Sequence, residues 1–343
     1  MRFDPAAVEG PYLRDILAQP VALADTVAGL CAAPAWLPLG GFDRIMLTGM
    51  GASFHALHPL LIQLVAHGFC AAAYETSELI HYYAAVLSPR TLVIAVSQSG
   101  RSVEIVRLLD AAVPGMRIIG VTNTPDSPLA TRADHCVMTR AGAEYSVSTK
   151  TFVTILAALA WLGAALCGGD RRAIERTLRE APPAAAEYLA GWETKVASLV
   201  ELLDGVRALF VTGRGTSLAA AGTGGLILKE SAHFHAEGMT CSAFRHGPFE
   251  MSGPEAFLLA CAGDARTTAL NANLVQDVRN AGGKAALIGP QSDVDAFRIP
   301  ETSPAVRPVL EMLPLQLVSL AVAALAGHSP GNFKLLTKVT TIE

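Results

Sequence analysis

The chain has 343 residues, of which 51% are hydrophobic and 16% charged, with a formal net charge of −4. That length and apolar content suit two domains of ordinary size or one large one, and they exclude a disordered chain. No basic block stands out, so nucleic acid is not expected as a partner.

In chain order, residues 1–40 read as an N-terminal helical segment whose acidic start, "MRFDPAAVEGPYLRD", lacks the apolar stretch of a signal peptide. A first α/β domain is expected over 41–169. Its strands are predicted at Arg44–Thr48, Ala71–Tyr74, Leu92–Val96, Arg117–Val121 and His135–Thr139, with helices over Ser53–His67, Ser102–Ala112 and Thr149–Leu166. Residues 170–204 read as a helical linker broken at "APPAAA". A second α/β domain over 205–330 has strands at Ala208–Thr212, Ala256–Ala260 and Ala285–Ile288, a weaker one near Ala296–Ile299, and a long apolar helix over Val309–Ala326. A tail, 331–343, follows. Alternating strands and helices predict parallel sheets covered by helices on both faces, a three-layer αβα sandwich in each domain. The longest apolar run, Thr151–Cys167, is short for a membrane span and reads as a core helix. The six cysteines are scattered, with no C-x-x-C pair, which fits buried thiols in a reducing, cytoplasmic setting.

Two segments repeat each other. "MLTGMGASFHA" (46–56) and "FVTGRGTSLAA" (210–220) each run from an apolar strand through T-G-x-G-x-S into a helix, which predicts two domains of one fold. A third turn, "VIAVSQSGRSVE" (93–104), ends a buried strand in small polar residues and a glycine before a helix. Such a turn suits an anion: the helix N-terminus offers free N–H groups and partial positive charge, and small residues permit close approach. Ser97, Ser99 and Ser102 add hydroxyls and Gln98 an amide. The bland alternative is a plain helix cap. Neither glycine turn completes G-x-G-x-x-G, since Phe54 and Leu218 stand at the third glycine positions, and there is no P-loop. No cofactor is expected. His233 and His235 form H-x-H, which diverges on a helix, so no metal site is expected.

Taken in order, "TGMGASFHA", "VSQSGRSVE", "VTNTPDSPLATRAD", "AGAEYSVSTKTF", "GRGTSLAAA", "LKESAHFHAEG", "FRHGPFEM" and "KVTTIE" resemble the tandem sugar-isomerase (SIS) family. That family includes the isomerase half of glutamine–fructose-6-phosphate amidotransferase and stand-alone deaminase and deglycase relatives. The resemblance implies two flavodoxin-like SIS domains and a sugar phosphate held by Ser97, Gln98, Ser99 and Ser102, with Ser53 and Gly51 nearby and Ser148 against the sugar. It implies Glu230, His246 and Lys338 as the catalytic groups, and a homodimer with shared sites. A carboxylate can move a proton between C1 and C2, a histidine can open the sugar ring, and a lysine can form a Schiff base at a C2 ketone. Where the amidotransferase carries a second lysine, this chain has Ile227, and Lys229 falls on another face of the helix. With only about 40 residues before the first domain, no glutaminase half is expected, and ammonia or an amine is the expected co-product. Three activities follow: an amino-sugar 6-phosphate isomerase/deaminase, a fructosamine-phosphate deglycase, or a non-catalytic sugar-phosphate-binding regulator.

Overall fold

The computed structural model describes residues 3–33, 41–335 and 337–340. They form two compact units, each drawn from separated stretches of chain. The first holds the described residues of 21–143, 150–179 and 335–343; the second holds those of 1–20, 144–149 and 180–334. The contiguous bounds expected from sequence therefore differ from these units. Residues 1–20 join the second unit, the 170–204 stretch is divided near residue 180, and the loop 144–149 leaves the first unit.

The first unit is built on β1 (Arg44–Gly49), β2 (Ala71–Glu75), β3 (Thr91–Val96), β4 (Arg117–Thr122) and β5 (His135–Met138), all parallel in the order β2-β1-β3-β4-β5. β3, "TLVIAV", is buried along its whole length, as a central parallel strand covered on both faces must be. The edge strand β2, "AAAYE", is only half-buried. The apolar helix Lys150–Leu166 fills the core and packs on the helix His58–Ala66. The predicted Ser53–His67 helix is two helices, Ala52–His55 and His58–Ala66. Pro59 lacks the N–H that a continuous helix would need and sits in the first turn of the second.

The second unit carries β6 (Ala208–Gly213), β7 (Ala236–Thr240), β8 (Ala256–Cys261) and β9 (Lys284–Ile288), parallel in the order β7-β6-β8-β9. β7, "AEGMT", escapes sequence reading because it is a short edge strand with a glycine and a glutamate. The strand expected near Ala296–Ile299 is instead a single 3-10 turn, Asp295–Phe297. Its N–H groups bond within the turn, Phe297 N–H to the Val294 carbonyl, and its one backbone link to the sheet's edge among the described residues is the Gly289 N–H on the Phe297 carbonyl at 3.1 Å, while the ring is buried beside Phe257. "APPAAA" opens the helix Ala181–Leu189 rather than breaking one, since its prolines occupy the first turn.

The longest apolar helix is Arg307–Ala326, not the 151–167 run. It has 20 residues and a mean hydropathy of 2.0, enough by length and composition to cross a membrane, yet 89% of that window is buried inside the structure. It packs on the helix Leu218–Ala232, which in turn lies on β7 through glycines. A Cβ on Gly225 would stand 2.3 Å from the Gly238 nitrogen, and one on Gly238 would stand 2.3 Å from the Ala221 carbonyl oxygen. Gly225→Ala is therefore expected to destabilise the protein by about 1–3 kcal/mol despite alanine's better helix propensity, which urea unfolding measures. An unchanged midpoint would show that helix and strand part without cost.

Candidate functional site

In the first unit the strand order reverses beside β1, and the turns after β1 and β3 meet there. A crevice at such a point is where open α/β sheets bind ligands. A Cβ on Gly49 would be 3.0 Å from the Val96 carbonyl oxygen, so only glycine lets the two turns come this close. Gly51 (φ +52) and Gly100 (φ +61) take left-handed conformations, and a Cβ at Gly100 would overlap the Ser127 hydroxyl.

The Ser97–Ser102 turn is rigidly built. Ser97 Oγ accepts the Gly100 N–H at 3.1 Å, and Ser99 Oγ accepts the Arg101 N–H at 3.2 Å. The Gln98 carbonyl accepts from Asn123 N–H and from the Thr122 hydroxyl, both at 3.1 Å. Ser102 occupies the N-cap of the helix Val103–Asp110, but its side chain makes no capping bond. The plain-cap reading thus fails at this residue, and the first-turn N–H groups get no help from the cap. Ser53 lies in the helix after the first glycine turn, with Gly51 as that helix's N-cap. His55 and His58 cluster with Phe54 there, and burial lowers the His58 pKa.

The C-terminal tail meets the same helix. The Val103 N–H donates to the Thr340 carbonyl at 3.3 Å, two residues beyond Lys338. Lys338 is half-buried and shares this unit with Gly51, Ser53, Ser97, Gln98, Ser99 and Ser102. Sequence reading passes over Glu104. It is buried in the first turn of the helix, and its Oε2 has no hydrogen-bond partner among the described residues.

Ser148, Glu230 and His246 lie in the second unit. Glu230 is half-buried near the end of the helix Leu218–Ala232; Ile227 is fully buried and Lys229 exposed. The helix ends at Ala232, with His233 left-handed (φ +50), so His233 and His235 do not share a helix. His246 is exposed in the turn after the helix Cys241–Arg245, and its ring has no hydrogen-bond partner among the described residues. The loop 144–149 is closed on itself: buried Glu144 accepts from the Thr149 N–H at 2.9 Å and the Thr149 hydroxyl at 3.0 Å. Tyr12 is fully buried, its hydroxyl bonded to Ser319 at 2.8 Å. Burial, together with the charges of Glu230 and Glu144, raises its pKa. Tyr12 carries no motif, and Glu144 lies within the quoted "AGAEYSVSTKTF" segment, where attention went to Ser148.

The second T-G-x-G-x-S copy follows β6, beside that sheet's own reversal between β6 and β8. Here Ser217 donates to the fully buried Glu311 at 2.8 Å, and the second Glu311 oxygen has no partner among the described residues. Burial pushes the Glu311 carboxyl up to about 7, against the opposing pull of the Ser217 hydroxyl and Arg307.

Residues 42–165 match the SIS domain family model. The matched residues span β1 to β5 and the Ser97–Ser102 turn. The chain is 32% identical, over 96% of its length, to glutamine–fructose-6-phosphate aminotransferase (isomerizing) of Pyrococcus horikoshii, and spans 57% of that protein. Among solved structures, it resembles the C-terminal domain of glucosamine-fructose-6-phosphate aminotransferase from Francisella tularensis. The TM-score is 0.82 at 22% identity, covering 99% of this chain and 100% of that one. It also resembles glucosamine-6-phosphate deaminase from Thermotoga maritima, with a TM-score of 0.80 at 18% identity, covering 97% and 100%. At these identities the two structures establish a shared fold.

Glu311 makes stability depend on pH. Its folded-state pKa lies above the ordinary 4.5, so its contribution favours folding below about pH 4.5 and is lost as pH rises to about 7, a change of about 3 kcal/mol. Glu311→Gln keeps an acceptor for Ser217 without the charge. Its melting temperature relative to the native protein is expected to be higher at pH 8 than at pH 5; an equal difference at both would rule this out.

Proposed function

We propose that the protein is a phosphosugar isomerase/deaminase that converts an amino-sugar 6-phosphate such as glucosamine 6-phosphate to a ketose phosphate and ammonia. The observation that carries this reading is the Ser97–Ser102 turn: four polar side chains at a strand-order reversal, before a helix whose N-cap side chain is not engaged with its backbone. The 32% identity to an aminotransferase that is named as isomerizing supports the choice of substrate class. On this reading the second unit is also a SIS domain, the enzyme is a cytoplasmic homodimer, and His246 serves a site shared with the partner subunit.

The phosphate accepts hydrogen bonds from Ser97, Ser99, Ser102 and the free N–H groups of the helix, with Gln98 and Ser53 beside it. His246 moves the proton that opens the pyranose ring. Glu230 takes the proton from C2 and returns it to C1 while an amine proton passes to O1, turning the C1 aldehyde into a hydroxymethyl group and the C2 amine into a ketimine. Water adds to the ketimine carbon and ammonia leaves, giving the ketose phosphate; Lys338 can hold C2 as a Schiff base in this exchange. Ser148 contacts the sugar.

A second reading is a deglycase that splits a phosphorylated fructosamine. It is favoured by Ile227, a fully buried apolar residue where the amidotransferase pattern has a lysine.

Incubation with glucosamine 6-phosphate is expected to release ammonia and fructose 6-phosphate in equal amounts, with Glu230→Gln lowering kcat by at least about 100-fold. Undiminished turnover by Glu230→Gln would remove it from the chemistry. Absence of ammonia, with an amino acid released from a fructosyl-amino-acid phosphate, would select the deglycase. Ser97→Ala combined with Ser99→Ala is expected to raise KM for the sugar phosphate about 10- to 100-fold, with a smaller effect on kcat.

A further inference from the structure

Gly331, where the tail begins, sits at a meeting of three chain segments within the second unit. Its N–H donates to the Ser231 carbonyl at 2.8 Å, one residue beyond Glu230. Its own carbonyl accepts from the buried Ser146 hydroxyl at 2.6 Å, two residues before Ser148. A Cβ on Gly331 would stand 2.2 Å from Ser146 Oγ and 2.5 Å from Tyr12 Cβ, and its φ is +79. No other residue type fits this position, for reasons of both space and backbone conformation.

The surroundings hold the same parts. The Tyr12 hydroxyl bonds Ser319 on the Arg307–Ala326 helix at 2.8 Å, which fixes the tyrosine beside Gly331. Asp15, one turn further along the helix Pro11–Leu17, accepts the Tyr145 N–H at 3.2 Å. His328 donates to the Ala232 carbonyl at 2.8 Å, and its ring stacks on that of His233. The loop holding Ser148 is thus bonded on one side to the N-terminal helix and on the other to Gly331, which is itself bonded to the end of the Glu230 helix.

We propose that Ser146, Gly331 and Tyr12 are positioning residues that lock the Ser148 loop to the C-terminal end of the Glu230 helix. The assignment rests on reading Ser148 and Glu230 as site residues. A sugar contact and a proton-transfer group must keep a fixed separation, and an error near 1 Å costs about 100-fold in rate. One buried hydroxyl–carbonyl bond and one glycine set that separation here, between segments about 80 residues apart in sequence.

The test uses the full chain. Ser146→Ala removes the hydroxyl without adding volume, and Tyr12→Phe removes the hydroxyl but keeps the ring. Gly331→Ala forces the overlap. Amide hydrogen exchange over 144–149 and 228–232, and kcat and KM with glucosamine 6-phosphate, are measured on each. Ser146→Ala is expected to speed exchange in 144–149 about 10-fold or more and to lower kcat about 10- to 100-fold, while KM moves less than about 3-fold. Tyr12→Phe should act in the same direction but more weakly. Unchanged exchange in 144–149, or a loss of protection spread evenly over the chain, would overturn the lock. If the native protein turns over no amino-sugar phosphate, the functional reading fails, and the exchange measurements still decide whether the lock exists.

Discussion

The constraint on which the Ser97–Ser102 turn depends is the reversal of strand order beside β1. β1 pairs with β2 on one side and β3 on the other, so the chain leaves it between two neighbours whose connections run to opposite faces of the sheet. The gap this opens has to be lined by very small residues. Gly49, against the Val96 carbonyl, and Gly100, against the Ser127 and Thr122 hydroxyls, meet that demand. Once they are in place, the small polar residues after β3 are held by their own backbone bonds, and the next helix points its N-terminus into the crevice. The Thr340 carbonyl on the Val103 N–H then ties the tail to the same helix, satisfying a donor that every helix leaves open.

The second unit uses its interior differently. Buried polar groups are costly unless paired, and here pairing is extensive: Gln19 and Gln316 exchange bonds at 2.7 and 2.9 Å, Tyr12 meets Ser319, and Glu144 is doubly satisfied by Thr149. These bonds are directional, whereas apolar contact alone would let the N-terminal helix slide along the Arg307–Ala326 helix. Pairing is not complete: one Glu311 oxygen is unpartnered among the described residues, as are the buried hydroxyls of Thr212 and Thr223, and burial raises the Glu311 pKa.

Much of this was legible from residues. Eight of the nine strands among the described residues were marked by short apolar or β-branched runs, and each glycine turn was marked by the abrupt stop of such a run. β7 was not, because an edge strand needs little apolar surface and "AEGMT" offers little. The 295–297 turn misled because apolar residues there are buried by tertiary packing, without strand pairing. The Ser97–Ser102 turn between strand and helix was readable because it is local: the hydroxyls, the glycine and the helix start lie within six residues.

By itself the sequence determined the parallel α/β class and the two glycine turns, since these follow from periodicity and composition over a few residues; Glu230, His246 and Lys338 were singled out only by the resemblance of their segments to the sugar-isomerase family. Only the tertiary structure decided that residues 1–20, 144–149 and 331 belong with the helix of Glu230, and that the tail near Lys338 belongs with the first sheet. Those associations rest on buried hydrogen bonds, apolar packing and the absence of a Cβ at Gly331, between segments far apart in the chain. No local pattern records them, because the partner of a buried hydroxyl or carbonyl is set by where the folded chain brings it.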